Sequence, residues 1–67
     1  MSDIDVLKAE IKKLSARAIT AKMNLHDLSE ELPINWQNIM PTAEAARDAY
    51  KELDEARTKL KSLEATV

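Results

Sequence analysis

The side chains best suited to chemistry in this sequence are His26 and two carboxylates that follow it, Asp27 and Glu30. On a helix, residues four apart share a face, so His26 and Glu30 could hold one metal ion between them. Two ligands do not close such a site, because zinc sites use three or four protein ligands. We therefore interpret His26 as a surface residue. A small metal-binding accessory protein that uses His26 and Glu30 is kept as an alternative.

Two residue types that often support catalysis are missing. The sequence has no cysteine to act as a thiolate and no glycine to build a phosphate-binding loop. No nucleophile stands beside a base in a recognisable catalytic pattern, and carboxylates along a helical rod lack a cavity that would perturb them. We predict that the protein is not an enzyme and that it uses no cofactor.

The elements that position these side chains are helices. Apolar residues recur three and four apart through the first half of the chain, which is the spacing of a helix packed along one seam. They are Ile4, Leu7, Ile11, Leu14, Ala18, Ala21, Leu25, Leu28 and Leu32. Ser2 can cap the first turn, and Asp3 and Asp5 place negative charge at the positive end of the helix dipole. Because Pro33 disfavours helical geometry at the preceding residue, we predict a helix over about residues 3–32.

A second seam with the same spacing follows. Its positions are Trp36, Ile39, Ala43, Ala46, Tyr50, Leu53, Ala56, Leu60, Leu63 and Val67. Proline is tolerated at the start of a helix but not inside one. Because of Pro41, we expect a turn at about 33–35, a short turn or kink over 35–40, and a helix over about 41–65.

So short a connection makes the two helices antiparallel. The predicted fold is an all-α, antiparallel two-helix hairpin, a helical coiled-coil hairpin that forms one domain over residues 1–67. Folding about residue 34 pairs Leu28 with Ile39, Leu25 with Ala43, Ala21 with Ala46, Ala18 with Tyr50, Leu14 with Leu53 and Leu7 with Leu60. Ala18, Ala21, Ala43 and Ala46 form a narrow section of this seam where the helix backbones can approach closely; we call it the waist. Trp36, at the turn, is expected to cap the end of the core; an exposed contact residue for a partner is the alternative.

Helix 1 has a second apolar face. Ala9, Ala16, Ile19 and Met23 are aligned at helical spacing on its outer side, and His26 flanks them. We call these four residues the outer stripe. A helix that is apolar on two sides packs on two sides, and a hairpin of 67 residues buries too little to be more than marginally stable alone. The stripe therefore predicts an interface, either with a second copy in a four-helix assembly or with a larger protein.

Charge and hydropathy limit the partners. The net charge of −2 does not attract nucleic acid, so we regard nucleic-acid binding as disfavoured. Charge is also segregated: residues 1–22 carry five basic and three acidic side chains, whereas residues 24–54 carry two basic and seven acidic ones. No apolar run is long enough for a membrane span, the first residues are acidic, and cysteine is absent. We expect neither export nor membrane insertion, and a cytoplasmic location.

The sequence between Leu7 and Arg57 resembles the Rop-like small proteins encoded among nitrogen-fixation genes. The similar positions are Lys12, Lys13, Leu14, Ala16, Ala18, the block Lys22-Met23-Asn24-Leu25-His26-Asp27-Leu28, Glu30, Leu32-Pro33, Trp36, Ile39-Met40, Ala43, Ala49-Tyr50 and Leu53-Asp54. The most specific part is the block of residues 22–28 joined to Leu-Pro and the following Trp.

The resemblance implies an antiparallel hairpin, paired as a four-helix Rop-like rod, with an accessory role in nitrogen fixation. We expect a non-catalytic factor that docks on nitrogenase, at its molybdenum-iron component, or on its assembly machinery; a homodimer is also compatible. The predicted partner-binding residues are Ala16, Ile19, Met23, His26, Asp27, Glu30 and Trp36. An RNA-binding Rop-like helical dimer is the alternative, although the acidic loop half lacks the basic face that it would need.

Overall fold

The N-terminal half of the chain is one long helix. In the computed structural model, which describes residues 2–65, helix α1 spans Asp3–Glu31. Ser2 is its N-cap, with extended backbone, and its hydroxyl accepts a hydrogen bond of 3.2 Å from the Asp5 N–H. This satisfies one of the N–H groups that a helix start leaves without a partner. Asp3 and Asp5 lie in the first turn, where the helix dipole favours negative charge.

The connection begins one residue earlier than predicted. Leu32 is the C-cap of α1, with φ −55° and ψ 141°, and its N–H donates to the Leu28 carbonyl. The proline ring that follows disfavours helical geometry at this position, which accounts for the stop. The Leu32–Pro33 peptide bond is cis. Asn35 has φ 64°, in the left-handed region that asparagine tolerates better than most residues. Its side-chain Nδ2 donates a hydrogen bond of 3.2 Å to Glu31 Oε2.

The second helix starts through a tight turn. Residues Trp36–Asn38 form a single 3₁₀ turn, and helix α2 follows over Ile39–Ala65. The predicted start near residue 41 was two residues late. Pro41 is compatible with this start because it lies in the first turn of α2, where N–H groups have no acceptor within the helix.

The two helices pack antiparallel into a hairpin that measures 51 × 16 × 13 Å, and the described residues contain no strand. Its buried side chains are Leu7, Ala18, Leu28, Ala46, Ala49 and Leu53. At the centre, Ala18, Ala49 and Leu53 form a cluster against which Ile11, Leu14 and Ala21 pack. The predicted hairpin is thus confirmed within residues 2–65. The predicted seam of α1 is buried or half-buried from Ile4 to Ala21 and at Leu28, whereas its positions Leu25 and Leu32 are exposed. Val67, the last predicted seam position, lies outside the described residues.

Three of the predicted seam pairs differ from the packing in the structure. Tyr50 is 42% exposed, and Ala49 takes the place opposite Ala18 that we had assigned to the tyrosine. A small residue at this position lets the helix backbones approach closely, and a tyrosine ring between them would hold them apart. Leu25 and Ile39, predicted to pack in the layers nearest the turn, are each more than one third exposed.

Neither described helix contains a stretch that is both long and apolar enough to cross a membrane.

Candidate functional site

The outer stripe lies on the solvent side of α1, as the spacing predicted. Ile19 is 56% exposed and Met23 49% exposed, and Ala9 and Ala16 are also exposed. Ala18, two residues from Ala16, is fully buried on the opposite side of the same helix. Two large apolar side chains one helical turn apart thus stay in water on this face, which is a candidate interaction surface.

His26 and Glu30 form the pair that the spacing predicted. The distance from His26 Nε2 to Glu30 Oε1 is 3.0 Å, and both side chains are more than half exposed. Ser29 Oγ donates to the His26 carbonyl, so the Ser29 hydroxyl is already hydrogen-bonded within α1. Within residues 2–65, no three His, Cys, Asp or Glu side chains are grouped so that they could hold a metal ion. One chain therefore offers a metal at most these two ligands here.

The turn end of the hairpin carries a second apolar surface. Its members are Leu32, Ile34, Trp36, Ile39 and Met40, which we call the tip. Ile34, Trp36 and Met40 are each more than 60% exposed. The expectation that Trp36 caps the core was therefore wrong. Leu28, only 6% exposed, already closes this end of the seam, and the indole lies outside it on the 3₁₀ turn.

Carboxylates flank the tip on both sides in the sequence. Asp27, Glu30 and Glu31 precede it on α1, and Glu44 and Asp48 follow it on α2. The nearest basic residue on α2, Arg47, is engaged with its neighbour Asp48, with both Nε and Nη2 at 3.0 Å from Asp48 Oδ1. The tip is thus an apolar surface flanked by these five acidic side chains, which we call the acidic frame.

The opposite, open end of the hairpin is chemically different. There a shallow groove between the helices has an apolar lining that includes Val6, Leu7, Leu14 and Ala56. Its rim carries both signs of charge, including the Arg17–Glu52 ion pair that links the two helices at 3.5 Å. Both side chains of this pair are mostly exposed, so it contributes little to stability.

Of the seven predicted partner-binding residues, all are exposed, and the structure divides them between two places. Ala16, Ile19, Met23, His26, Asp27 and Glu30 follow one face of α1, whereas Trp36 belongs to the tip. Four tip residues were not among the predicted partner-binding residues: Leu32, Ile34, Ile39 and Met40. A signal for them existed, because connections are usually polar and this one is apolar at nearly every second position.

Comparison with known proteins gives the family. The family model described as Rop-like matches residues 2–65. A UPF0437 protein of Azorhizobium caulinodans is 63% identical over 65 residues, which cover 97% of this chain and 94% of that protein. A Frankia alni protein is described as a UPF0437 protein in the nifX-nifW intergenic region. It is 37% identical over 51 residues, which cover 76% of this chain and 62% of that protein.

A solved structure supports the same assignment. The NMR structure of structural-genomics target McR1 superposes with a TM-score of 0.86 at 48% identity, covering 97% of this chain and 92% of that one. The fold, the family match and the shared sequence agree over nearly the whole length. This chain belongs to the Rop-like family, which has members encoded in nitrogen-fixation gene clusters.

Proposed function

We propose that this protein is a non-catalytic, cytoplasmic accessory factor of nitrogen fixation that docks its tip on nitrogenase. The molybdenum-iron component is the first candidate partner, and the nitrogenase assembly machinery is the second. The observation that carries the proposal is the concentration of exposed apolar side chains at the turn: Ile34, Trp36 and Met40 are 69%, 61% and 65% exposed. The location of the Frankia alni relative in the nifX-nifW intergenic region supplies the nitrogen-fixation setting.

The residue types at the tip suit a protein partner. Tryptophan and methionine are enriched at protein interfaces, where the ring fills a pocket and the flexible thioether adapts to irregular surfaces. Trp36 lies on a turn whose backbone is held by hydrogen bonds from Ile34 N–H to Glu31 O and from Asn38 N–H to Asn35 O, and Met40 lies in the first turn of α2. A backbone held in this way loses little conformational entropy on binding.

The acidic frame specifies the partner further. Residues 24–54 carry seven acidic and two basic side chains, so a complementary surface is an apolar pocket with a basic rim. The same charge disfavours the RNA-binding alternative, since binding to nucleic acid depends on lysine and arginine near the phosphates.

The test is a direct binding measurement. The purified chain is titrated against purified molybdenum-iron component, and separately against purified assembly factors, at low and high salt. We expect saturable binding that Trp36→Ala weakens by about tenfold or more, as for a central aromatic contact. Added salt should slow association, because complementary charges steer the encounter.

The control is Val6→Ala, which removes an apolar side chain that is 51% exposed at the far end of the hairpin. It should leave the affinity unchanged. The absence of binding to every nitrogenase component and assembly factor, or equal affinities for Trp36→Ala and the unmodified chain, would rule the proposal out.

A further inference from the structure

We infer that the docking partner meets the tip with two basic side chains, one against Asp27 and one against Glu44. These two contacts decide which apolar pockets accept the tip. The inference rests on the proposed function, because it concerns the same docking surface. It adds which two of the five carboxylates in the acidic frame contact the partner, and it gives the physical reason for the choice.

Three carboxylates of the acidic frame already have partners inside the chain. Glu30 is paired with the histidine one turn earlier, Glu31 accepts a hydrogen bond from the asparagine of the turn, and Asp48 is paired with the arginine before it. The side chains of Asp27 and Glu44 are exposed, and neither forms a hydrogen bond or an ion pair within residues 2–65. These two are therefore free to bind a cation that another molecule supplies.

The two free carboxylates occupy similar positions on the two helices. Asp27 lies four residues, about one turn, before the last residue of α1, Glu31. Glu44 lies four residues after Met40, on the same face of α2 and in its second turn. A pocket that takes in the tip to the depth of about one helical turn, roughly 5 Å, therefore brings its rim to both carboxylates.

Stability of the free chain does not explain the charge at Asp27. This residue, with Glu30 and Glu31, lies at the C-terminal end of α1, whose last turn contains no basic residue. The helix dipole places negative partial charge at that end, so a carboxylate there is unfavourable. Asp27 thus lowers the stability of the free chain and has no contact that compensates. A basic group of the partner supplies that compensation.

The same carboxylates reject unsuitable partners. Docking of the apolar tip removes water from the side chains around it, and a carboxylate that loses water without gaining a cation is costly. An apolar pocket that lacks a basic group at either position is therefore disfavoured, even when it can accommodate Trp36. A partner with basic groups at both positions binds the tip and is selected by charge as well as by shape.

The test measures the affinity of charge-neutral variants by isothermal titration calorimetry. The titrant is the purified molybdenum-iron component, or the assembly factor if that is the one that binds. We expect Asp27→Asn and Glu44→Gln each to weaken binding about tenfold, because each leaves a basic group of the partner without its counter-charge. Asp27→Glu keeps the charge and should retain most of the affinity.

The matched control is Asp54→Asn. Asp54 is also exposed and also forms no ion pair or side-chain hydrogen bond within residues 2–65, but it lies about four turns beyond the start of α2. This variant makes the same change in net charge as Asp27→Asn and should leave the affinity within about twofold.

Thermal unfolding of the free chain gives a second readout for Asp27. Asp27→Asn should raise the midpoint by about 1–5 °C, because it removes a negative charge from the negative end of the α1 dipole. One substitution is thus expected to stabilise the free chain and to weaken the complex. A residue with only a structural role would not separate the two measurements in this way.

The outcomes separate this inference from the proposed function. Binding that Trp36→Ala weakens, but that Asp27→Asn and Glu44→Gln leave intact, overturns the inference and leaves the proposed function standing. An equal loss for Asp54→Asn also overturns it, since net charge would then be the cause, and so does a lower unfolding midpoint for Asp27→Asn. If no nitrogenase component or assembly factor binds the chain, both fall together.

Discussion

The waist and the tip of this hairpin use apolar residues in opposite ways. At the waist, Ala18 is fully buried and Ala49 is 7% exposed, although alanine is among the smallest apolar residues. At the tip, Trp36 and Ile34 are among the largest apolar residues, and both are more than 60% exposed. Side-chain size therefore does not predict burial in this chain.

The difference shows how a two-helix protein divides its apolar surface. Small residues let the helix backbones approach, so that Leu53 and its neighbours pack in a narrow seam. The larger residues outside that seam add little to the stability of one copy and are available to another molecule. The predictions below test this division, and all stability measurements use one fixed protein concentration because pairing would change apparent stability.

The largest effect is expected in the seam. Leu53 is 3% exposed, so Leu53→Ala should leave a cavity and destabilise the fold by about 2–5 kcal/mol. A chain this small has only about 3–5 kcal/mol of net stability, so this loss removes a large part or all of it. Far-UV circular dichroism measures the loss of helix. Leu32→Ala, at a residue that is 40% exposed, is the matched control and should cost clearly less.

A smaller loss is expected from adding volume at the waist. Ala18→Leu should separate the helices and destabilise the fold by about 1–3 kcal/mol, measured by urea denaturation. Ala45→Leu makes the same change on the exposed face of α2 and should be nearly neutral. If both variants have the same stability, the close approach at the waist is not what holds the hairpin together.

The stability of the fold should depend on the backbone conformation that the residue at position 35 of the turn can adopt. Asn35→Ala should cost about 1–2 kcal/mol, because alanine is strained at the positive φ of this position. Asn35→Gly removes the same side chain without that strain and should retain most of the stability. Thermal denaturation of the pair separates the two causes: equal losses would assign the effect to the hydrogen bond with Glu31 instead.

The smallest effect on stability is expected at the tip. Trp36→Ala should change the free energy of unfolding by no more than about 0.5 kcal/mol, because the side chain is mostly in water. The same urea titration applies. A loss of several kcal/mol would mean that Trp36 supports the fold, and the contrast between waist and tip would not hold.

Some of the candidate surface could be predicted from sequence because it depends on positions along one helix. The stripe residues Ile19 and Met23 and the His26–Glu30 pair follow from helical spacing alone, and the structure places them as expected. Trp36 could not be placed in this way. Its exposure depends on the path of a turn with a left-handed residue and a 3₁₀ segment, and helical periodicity contains no information on that path.

The sequence by itself determined that this protein is two helices folded back on each other. Apolar spacing, Ser2 at one end and Pro33 at the other are local features, and a short link leaves only the antiparallel arrangement. Only the tertiary structure decided that Ala49 and not Tyr50 faces Ala18, and that the apolar turn residues stay in water. Both outcomes depend on how closely two backbones approach, and that distance is set by side chains far apart in the chain.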